Sequence, residues 1–381
     1  MIYSKIKRNN SDYIDSVVEL MKVHQPINLS EGHTGFKGSP KLIECAERHL
    51  RESLNQYADS FGSFRLREKI AYKLETLYGK KYDPDSEITI TSGSTQPIYS
   101  TISAIIREGD QVVVFEPVAG NYVPAIELNG GEPVYVKMRE PDFSIDWADV
   151  QKVINSKTKM IIIDSPHNPT GWVMSELDLI RLQKLITGTK IVVLSEETFE
   201  HITFDDEGHQ SMASFPKLAE QSIIISSLGE TYHVTGWQIG YCAAPKEFMK
   251  EIREFQQLVI HSVSSPMQEA LADFLDVREE YMNIGKFYQA KRDYFNSLLD
   301  PERLTPVKSK GTFFELVDFS QLTNLNDQNI AVKAIMEAGV AGVPLSLFYH
   351  EKLKYQMLRF NFAQPDEVLS QSADRLNNMK F

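Results

Sequence analysis

The chain has 381 residues, 42% apolar and 24% charged, the balance of a globular protein with a real core and enough length for about two or three domains. Its formal net charge of −12 argues against nucleic acid or an anionic membrane surface as a main partner, because both demand a basic face. Cys45 and Cys242 form no CxxC pair, the opening MIYSKIKRNNSDYIDS lacks the apolar stretch of a secretory leader, and runs such as Met160 to Ile163 are too short to span a bilayer; no cysteine zinc site, a reducing compartment and a cytoplasmic protein are expected.

Ile14, Val17, Val18 and Met21 recur at helical spacing and predict an amphipathic helix over 11–22. A Gly- and Pro-containing stretch from Asn28 to Pro40 follows, then helices over about 40–53 and 63–78. Next come six short β-rich runs, at 87–92, 111–117, 133–138, 159–166, 190–197 and 222–229, alternating with helical segments. Several of them are continuously apolar, as strands buried on both faces of a parallel sheet must be. The β-α-β-α order predicts a doubly wound α/β domain with its ligand site at the carboxyl ends of the strands. A long helical stretch over about 265–297 leads into a smaller α+β unit, with strands at 312–317 and 357–362 and helices at 327–338 and 365–379. There is no internal repeat and no low-complexity segment.

The turns after the strands are where chemistry is expected. In TSGSTQPIYSTISAII (91–106), Gly93, Ser94 and Thr95 separate a strand from a helix. Free N–H groups and hydroxyls there suit an anion, although Ser94 or Thr95 acting as a plain helix cap is the simpler alternative. The later turns read PVAGNY (117–122), DSPHNPTG (164–171), SEETFEHI (195–202), SSLGETYHVTGWQIGY (226–241) and MLRFNFAQ (357–364).

In their order and spacing these turns resemble those of the class I aminotransferases of the fold-type-I pyridoxal-phosphate (PLP) group, and of the methionine and kynurenine aminotransferases in particular. The strings INLSEG, NQYADSFGSFRLREKIA, PHNPTGWV, TYHVTGW and LRFNFA carry the likeness, which runs from about residue 26 to the C-terminus. The resemblance implies a large domain over 41–275 with a mostly parallel doubly wound sheet, a small C-terminal domain over 276–381, and an N-terminal segment, 1–40, packing with the small domain. It also implies a homodimer with composite active sites. Asn168 matches the family's ring-hydroxyl partner, Ser227 and the Gly93–Ser94–Thr95 loop its phosphate contacts, Tyr57 a tyrosine that reaches the phosphate across the dimer, and Arg359 the arginine that grips the substrate carboxylate.

Other positions depart from the family. Glu230 stands where the resemblance implies the Schiff-base lysine, and a carboxylate cannot form an imine. Gln238 replaces a phosphate-binding Arg or Lys, Glu196 an Asp that pairs with the pyridine nitrogen, and Phe199 a Tyr that bonds the phenolic oxygen. Ala119 aligns with the stacking aromatic, with Tyr122 close enough to take a shifted role. Lys246 lies beyond the following strand and is too far along to substitute for the lysine. These changes add negative charge beside a roughly dianionic phosphate. The expectation is a remodelled aminotransferase-like site with no covalently bound cofactor, holding a small amino-acid-like ligand through Arg359 while Glu230 and Glu196 read a positive group or share a proton. The alternatives are an enzyme using unanchored pyridoxamine phosphate (PMP) with Glu230 as base, or a methionine-like aminotransferase altered at 230. No metal site is expected: His167, His201 and His233 have no ligand spacing and read as hydrogen-bonded structural histidines, and Trp237 and Tyr241 as core.

Overall fold

The computed structural model describes residues 11–52 and 55–381; residues 1–10 of the N-terminal segment and Ser53, expected to end a helix, lie outside the described residues. The first three helices are Ser11–His24, Pro40–Arg51 and Phe64–Tyr78, the last started by the Ser63 hydroxyl, which accepts from the Leu66 N–H, and stopped by Gly79 in the left-handed region.

A seven-stranded sheet follows. Across it the strands run Ile88–Ser92, Ile239–Ala243, Ser222–Ser227, Val192–Glu196, Thr158–Asp164, Gln111–Glu116 and Glu132–Lys137. All neighbours are parallel except Ile239–Ala243, which runs against both of its own. The continuous apolar runs have a direct cause. Val113, Ile161, Ile163, Val193 and Ile224 pack on one face with Leu66, Ile70 and Leu182, whereas Val112, Val114, Ile162, Leu194 and Ile223 pack on the other with Ile98, Ile102 and Met249. Successive side chains point to opposite faces, and both faces are covered.

The smaller sheet is antiparallel, in the order Val343–Pro344, Met357–Asn361, Phe314–Asp318, Thr305–Val307. Val317, Leu358 and Phe360 form a separate core with Ile330, Leu369 and Leu376 from helices Asp327–Lys333 and Asp366–Asn377. The N-terminal segment joins this half of the molecule: Ile27–Asn28 pairs in parallel with Val340–Ala341, and the Asn361 N–H donates to the Leu29 carbonyl at 2.8 Å. No described helix is long and apolar enough to cross a membrane.

Several expectations need correction. The stretch over 265–297 is three helices, Ser265–Phe274, Arg278–Met282 and Ile284–Leu298. The first packs on Pro40–Arg51 and the last on the C-terminal helix, so one straight rod cannot serve both. Gly285 sits where a Cβ would meet the Thr203 carbonyl at 2.9 Å, which fixes where the last helix starts. The strand expected from Thr312 begins at Phe314, because Thr312 has φ +69°. Thr305–Val307 was not predicted; it carries Pro306 and is an edge strand, the position a proline tolerates. The helix expected over 327–338 changes to π geometry at Ala334–Ala338.

Beneath the large sheet lies a satisfied ionic network. Lys73 Nζ is 2.5 Å from Glu200 Oε1, and both side chains are almost fully buried. Tyr241 and Ser226 also donate to Oε1, each at 3.0 Å, and Tyr78 donates to Oε2 at 2.7 Å. Burial is the largest single influence and would raise the Glu200 carboxyl, but the Lys73 charge and hydrogen bond together with His201 and His209 outweigh it and hold the group far below its usual range. Tyr241 is thus core, as expected, and a hydrogen-bond donor as well. Replacing Lys73→Met leaves Glu200 buried without its counter-charge and is expected to destabilise the protein by about 3–5 kcal/mol, read from the denaturant midpoint. Adding Glu200→Gln should recover part of that loss.

Candidate active site at the strand ends

Asp164 and Glu196 end neighbouring parallel strands and are partners in register. Tyr122, from the turn and helix after Gln111–Glu116, donates its hydroxyl to Glu196 Oε2, and the Thr198 hydroxyl donates to Oε1 at 3.1 Å. The Asn168 N–H donates to Asp164 Oδ2 at 3.1 Å, and Asn168 Oδ1 accepts from Arg359 Nη1 at 2.8 Å. One continuous set of contacts therefore joins Tyr122, Glu196, Asp164, Asn168 and Arg359, four of which the sequence had singled out.

Arg359 comes from the smaller sheet and is 7% exposed. Nη2 donates to the Ser30 carbonyl at 2.8 Å, and the guanidinium lies 4.0 Å from the Phe314 ring centre and 5.4 Å from that of Phe348. Nε is buried with no partner. Among the described residues no carboxylate forms an ion pair with it, and burial alone lowers its pKa to about 9.

Glu230 lies in the one-turn helix Gly229–Tyr232, directly after the Ser222–Ser227 strand. Its Oε2 is buried without a hydrogen bond. Burial pushes its carboxyl upward, the Ser227 hydroxyl and its own N–H oppose this, and the charge of Glu196 adds to it. Asp164 is pushed well above the usual carboxyl range by burial and then by Glu196, with the Asn168 N–H acting the other way. Three carboxyl groups thus share one end of the sheet, two of them biased toward holding a proton. No three His, Cys, Asp or Glu side chains among the described residues are grouped to hold a metal ion.

Gly93 has φ +61°, and its N–H donates to the Gln238 carbonyl at 3.0 Å. A Cβ there would meet only the movable amide end of Gln238, so it is the backbone conformation that calls for glycine. Ser94 precedes helix Thr95–Ile105 but makes no side-chain cap bond, and Thr95 is exposed, which removes the plain-cap alternative for Ser94. Ser227 is buried and accepts from the Gly229 N–H at 3.2 Å. Gln238 is exposed and donates through Nε2 to the Thr235 carbonyl at 2.7 Å.

Phe199 is buried edge-on to Phe313, with ring centres 5.0 Å apart. Ala119 borders a cavity of about 10 Å³ lined also by Tyr122, Asp164, His167 and Trp172. Tyr57 stands apart, 80% exposed, its ring meeting the His261 ring edge at 4.6 Å. Of the three histidines only His167 has a side-chain hydrogen bond among the described residues, with Thr170 Oγ1 at 2.8 Å from Nδ1, while His201 Nε2 lies 3.7 Å from Glu200 Oε2. Nε2 of His201 and of His233 makes no hydrogen bond; their rings pack on Tyr281 and among Phe36, Phe287 and Tyr288. Trp237 flanks the core and is only partly buried. Sequence reasoning missed Asp164, Thr198 and the Ser30 carbonyl. An acidic residue closing an apolar strand, just before PHNPTG, was a readable signal for Asp164; the carbonyl had none.

This architecture is that of a fold-type-I aminotransferase. Residues 24–376 match the family model "Aminotransferase class I and II", and the chain belongs to that family. It is 38% identical over 377 residues to the methionine aminotransferase of Escherichia coli K12, covering 99% of this chain and 98% of that one. It is 30% identical over 398 residues to the kynurenine–oxoglutarate transaminase of Dictyostelium discoideum, covering 94% and 91%. Among solved structures, the E. coli protein with a methionine aminotransferase function superposes with a TM-score of 0.94 at 38% identity and 99% coverage of both chains. N-succinyldiaminopimelate aminotransferase from Mycobacterium tuberculosis gives 0.93 at 27% identity and 100% coverage of both.

A carboxyl raised on folding binds more protons folded than unfolded, so its contribution to stability is present at low pH and lost as pH rises. Glu230→Gln should therefore stabilise the protein by about 1 kcal/mol at neutral pH, with the gain fading toward about pH 4. Melting temperatures of both proteins across that range check this.

Proposed function

We propose that this site binds an α-amino acid or the matching 2-oxo acid, with the carboxylate on Arg359 and the amino group facing Glu230, Glu196 and Asp164. Arg359 carries the assignment: a guanidinium out of water, with Nε unbonded and no acidic partner among the described residues, is complete only when an anion arrives. A planar carboxylate matches its donor fork, and burial strengthens the bond. Asn168 and Ser30 orient the guanidinium, and Phe314 and Phe348 exclude water from it. On the other side Tyr122 and Thr198 hold Glu196 in place. Asp164 and Glu230 are the groups able to take up or release a proton beside the ligand's nitrogen. An apolar side chain of the methionine kind is favoured by the similarity to a methionine aminotransferase.

Pyridoxal phosphate, which the fold implies, supplies an aldehyde and an electron sink when bound. The residues at its phosphate end suit it: Gly93, the uncapped start of helix Thr95–Ile105 and Ser227. The residues at its ring end do not fit a covalently held cofactor. Glu230 offers no amine, Phe199 no hydroxyl and Ala119 no ring face, and Glu230 already has a buried oxygen with no partner. The chemistry open to this chain's own side chains is binding, orientation and proton exchange.

Overall similarity to aminotransferases favours a second reading, amino-group transfer on unanchored pyridoxamine phosphate or by a protein differing from its relatives chiefly at 230. We also propose that two copies pair, each lending Tyr57 to the other's site; its 80% exposure supports this.

Calorimetry with methionine and other amino acids, and absorbance after dialysis against PLP or PMP, separate the readings. The expected result is amino-acid binding that Arg359→Lys weakens by about tenfold or more, with neither cofactor retained by the native protein. Retention of PMP with turnover would establish the second reading. Glu230→Lys should take up PLP as a visible imine only if the rest of the ring site is intact.

A further inference from the structure

Glu116 ends the strand Gln111–Glu116 and is fully buried. Its Oε1 accepts twice from one residue of the other half of the molecule, from the His350 N–H at 2.6 Å and from Nδ1 at 2.9 Å. These are its only side-chain hydrogen bonds among the described residues, and its Oε2 has none. The His350 ring lies flat on Tyr135 of the Glu132–Lys137 strand, with centres 3.8 Å apart and planes 6° apart. Two residues earlier, the Phe348 carbonyl accepts from the Val118 N–H at 2.7 Å, and the Phe348 ring lies 5.4 Å from the Arg359 guanidinium. The start of the same segment is fastened elsewhere: Ser346 donates through its N–H and its hydroxyl to Asp327, at 2.6 and 2.8 Å.

We propose that His350 is a positioning residue: its bond to Glu116 straps the segment 345–350 down, setting Phe348 over Arg359 and joining that guanidinium to the turn that carries Ala119 and Tyr122. As a statement about ligand affinity this rests on the reading of Arg359 as the carboxylate site. As a statement about geometry it does not. The strap spans the two sheets, with Asp327 anchoring one end and Glu116 the other. Without the imidazole a buried carboxylate keeps only the backbone N–H of residue 350, and that bond, the Val118–Phe348 bond and the exposed Lys137–Glu351 pair are left to hold the segment to the large sheet. Only an imidazole donating from Nδ1 while stacked on Tyr135 does both jobs.

The test uses the full-length protein and two variants. His350→Phe keeps the ring on Tyr135 and removes the donor; His350→Asn loses the ring but keeps a donor near Nδ1. The first readout needs no ligand: the rate at which an arginine-specific dicarbonyl reagent labels Arg359, followed by mass spectrometry. Labelling should be about tenfold faster in His350→Phe and close to native in His350→Asn. The second is methionine affinity by calorimetry, which should fall in the first variant and be rescued in the second. Equal labelling in all three proteins, or labelling of His350→Asn as fast as that of His350→Phe, overturns the positioning role. If labelling separates as expected while native protein binds no amino acid, the strap stands and the ligand reading falls. If His350→Phe does not fold, His350→Leu is judged by the same labelling outcomes.

Discussion

A buried arginine with no carboxylate partner among the described residues is the constraint on which the strand-end site depends. Removing a guanidinium from water is costly, and proteins usually recover the cost with an acid at close range. Three acids lie at the same end of the large sheet, yet Arg359 touches none of them. Asn168 stands between, accepting from Arg359 with its amide oxygen and donating to Asp164 with its backbone N–H. Opposite charges are thus kept at two separate stations, which is the complement of a zwitterion. Positions 30, 168, 164 and 359 are joined only because strands from both sheets and the N-terminal segment come to one place.

The contrast with the Lys73–Glu200 network is instructive. There every carboxylate oxygen is bonded, and the acid is held far below its usual range. At the strand ends, Nε of Arg359 and Oε2 of Glu230 go without partners, and two carboxyls are pushed the other way. The same kinds of side chain stabilise the fold at one depth and burden it at another. Unmet bonds of this kind mark a place meant to meet something else.

Much of this was legible in the amino-acid order because it depends on local pattern. The continuous apolar runs pointed to the double-sided sheet, and the turn sequences pointed to Asn168, Glu196 and Arg359, which the fold brings to one region. What escaped depended on distance. Asp164 matters because Glu196 is its neighbour in register, which only strand pairing decides. The Ser30 carbonyl carries no side-chain signature at all. The break of 265–297 into three helices follows from which surfaces each must cover, and no glycine or proline announces it at residues 275–277. Tyr57, read from family likeness, is exposed to solvent in a single chain.

The bond between Arg359 and the Ser30 carbonyl joins residues 329 positions apart. Together with the pairing of Ile27–Asn28 to Val340–Ala341, it means that the first described strand waits for nearly the last. During synthesis the large sheet can assemble from chain already outside the ribosome, whereas the site cannot close until the final strand has emerged. A nascent chain stopped short of Met357 would present a folded sheet and an acidic strand end with nothing opposite it. Closure of these strand-end contacts therefore reports that the strand Met357–Asn361 has been made, and folding of the large sheet alone does not.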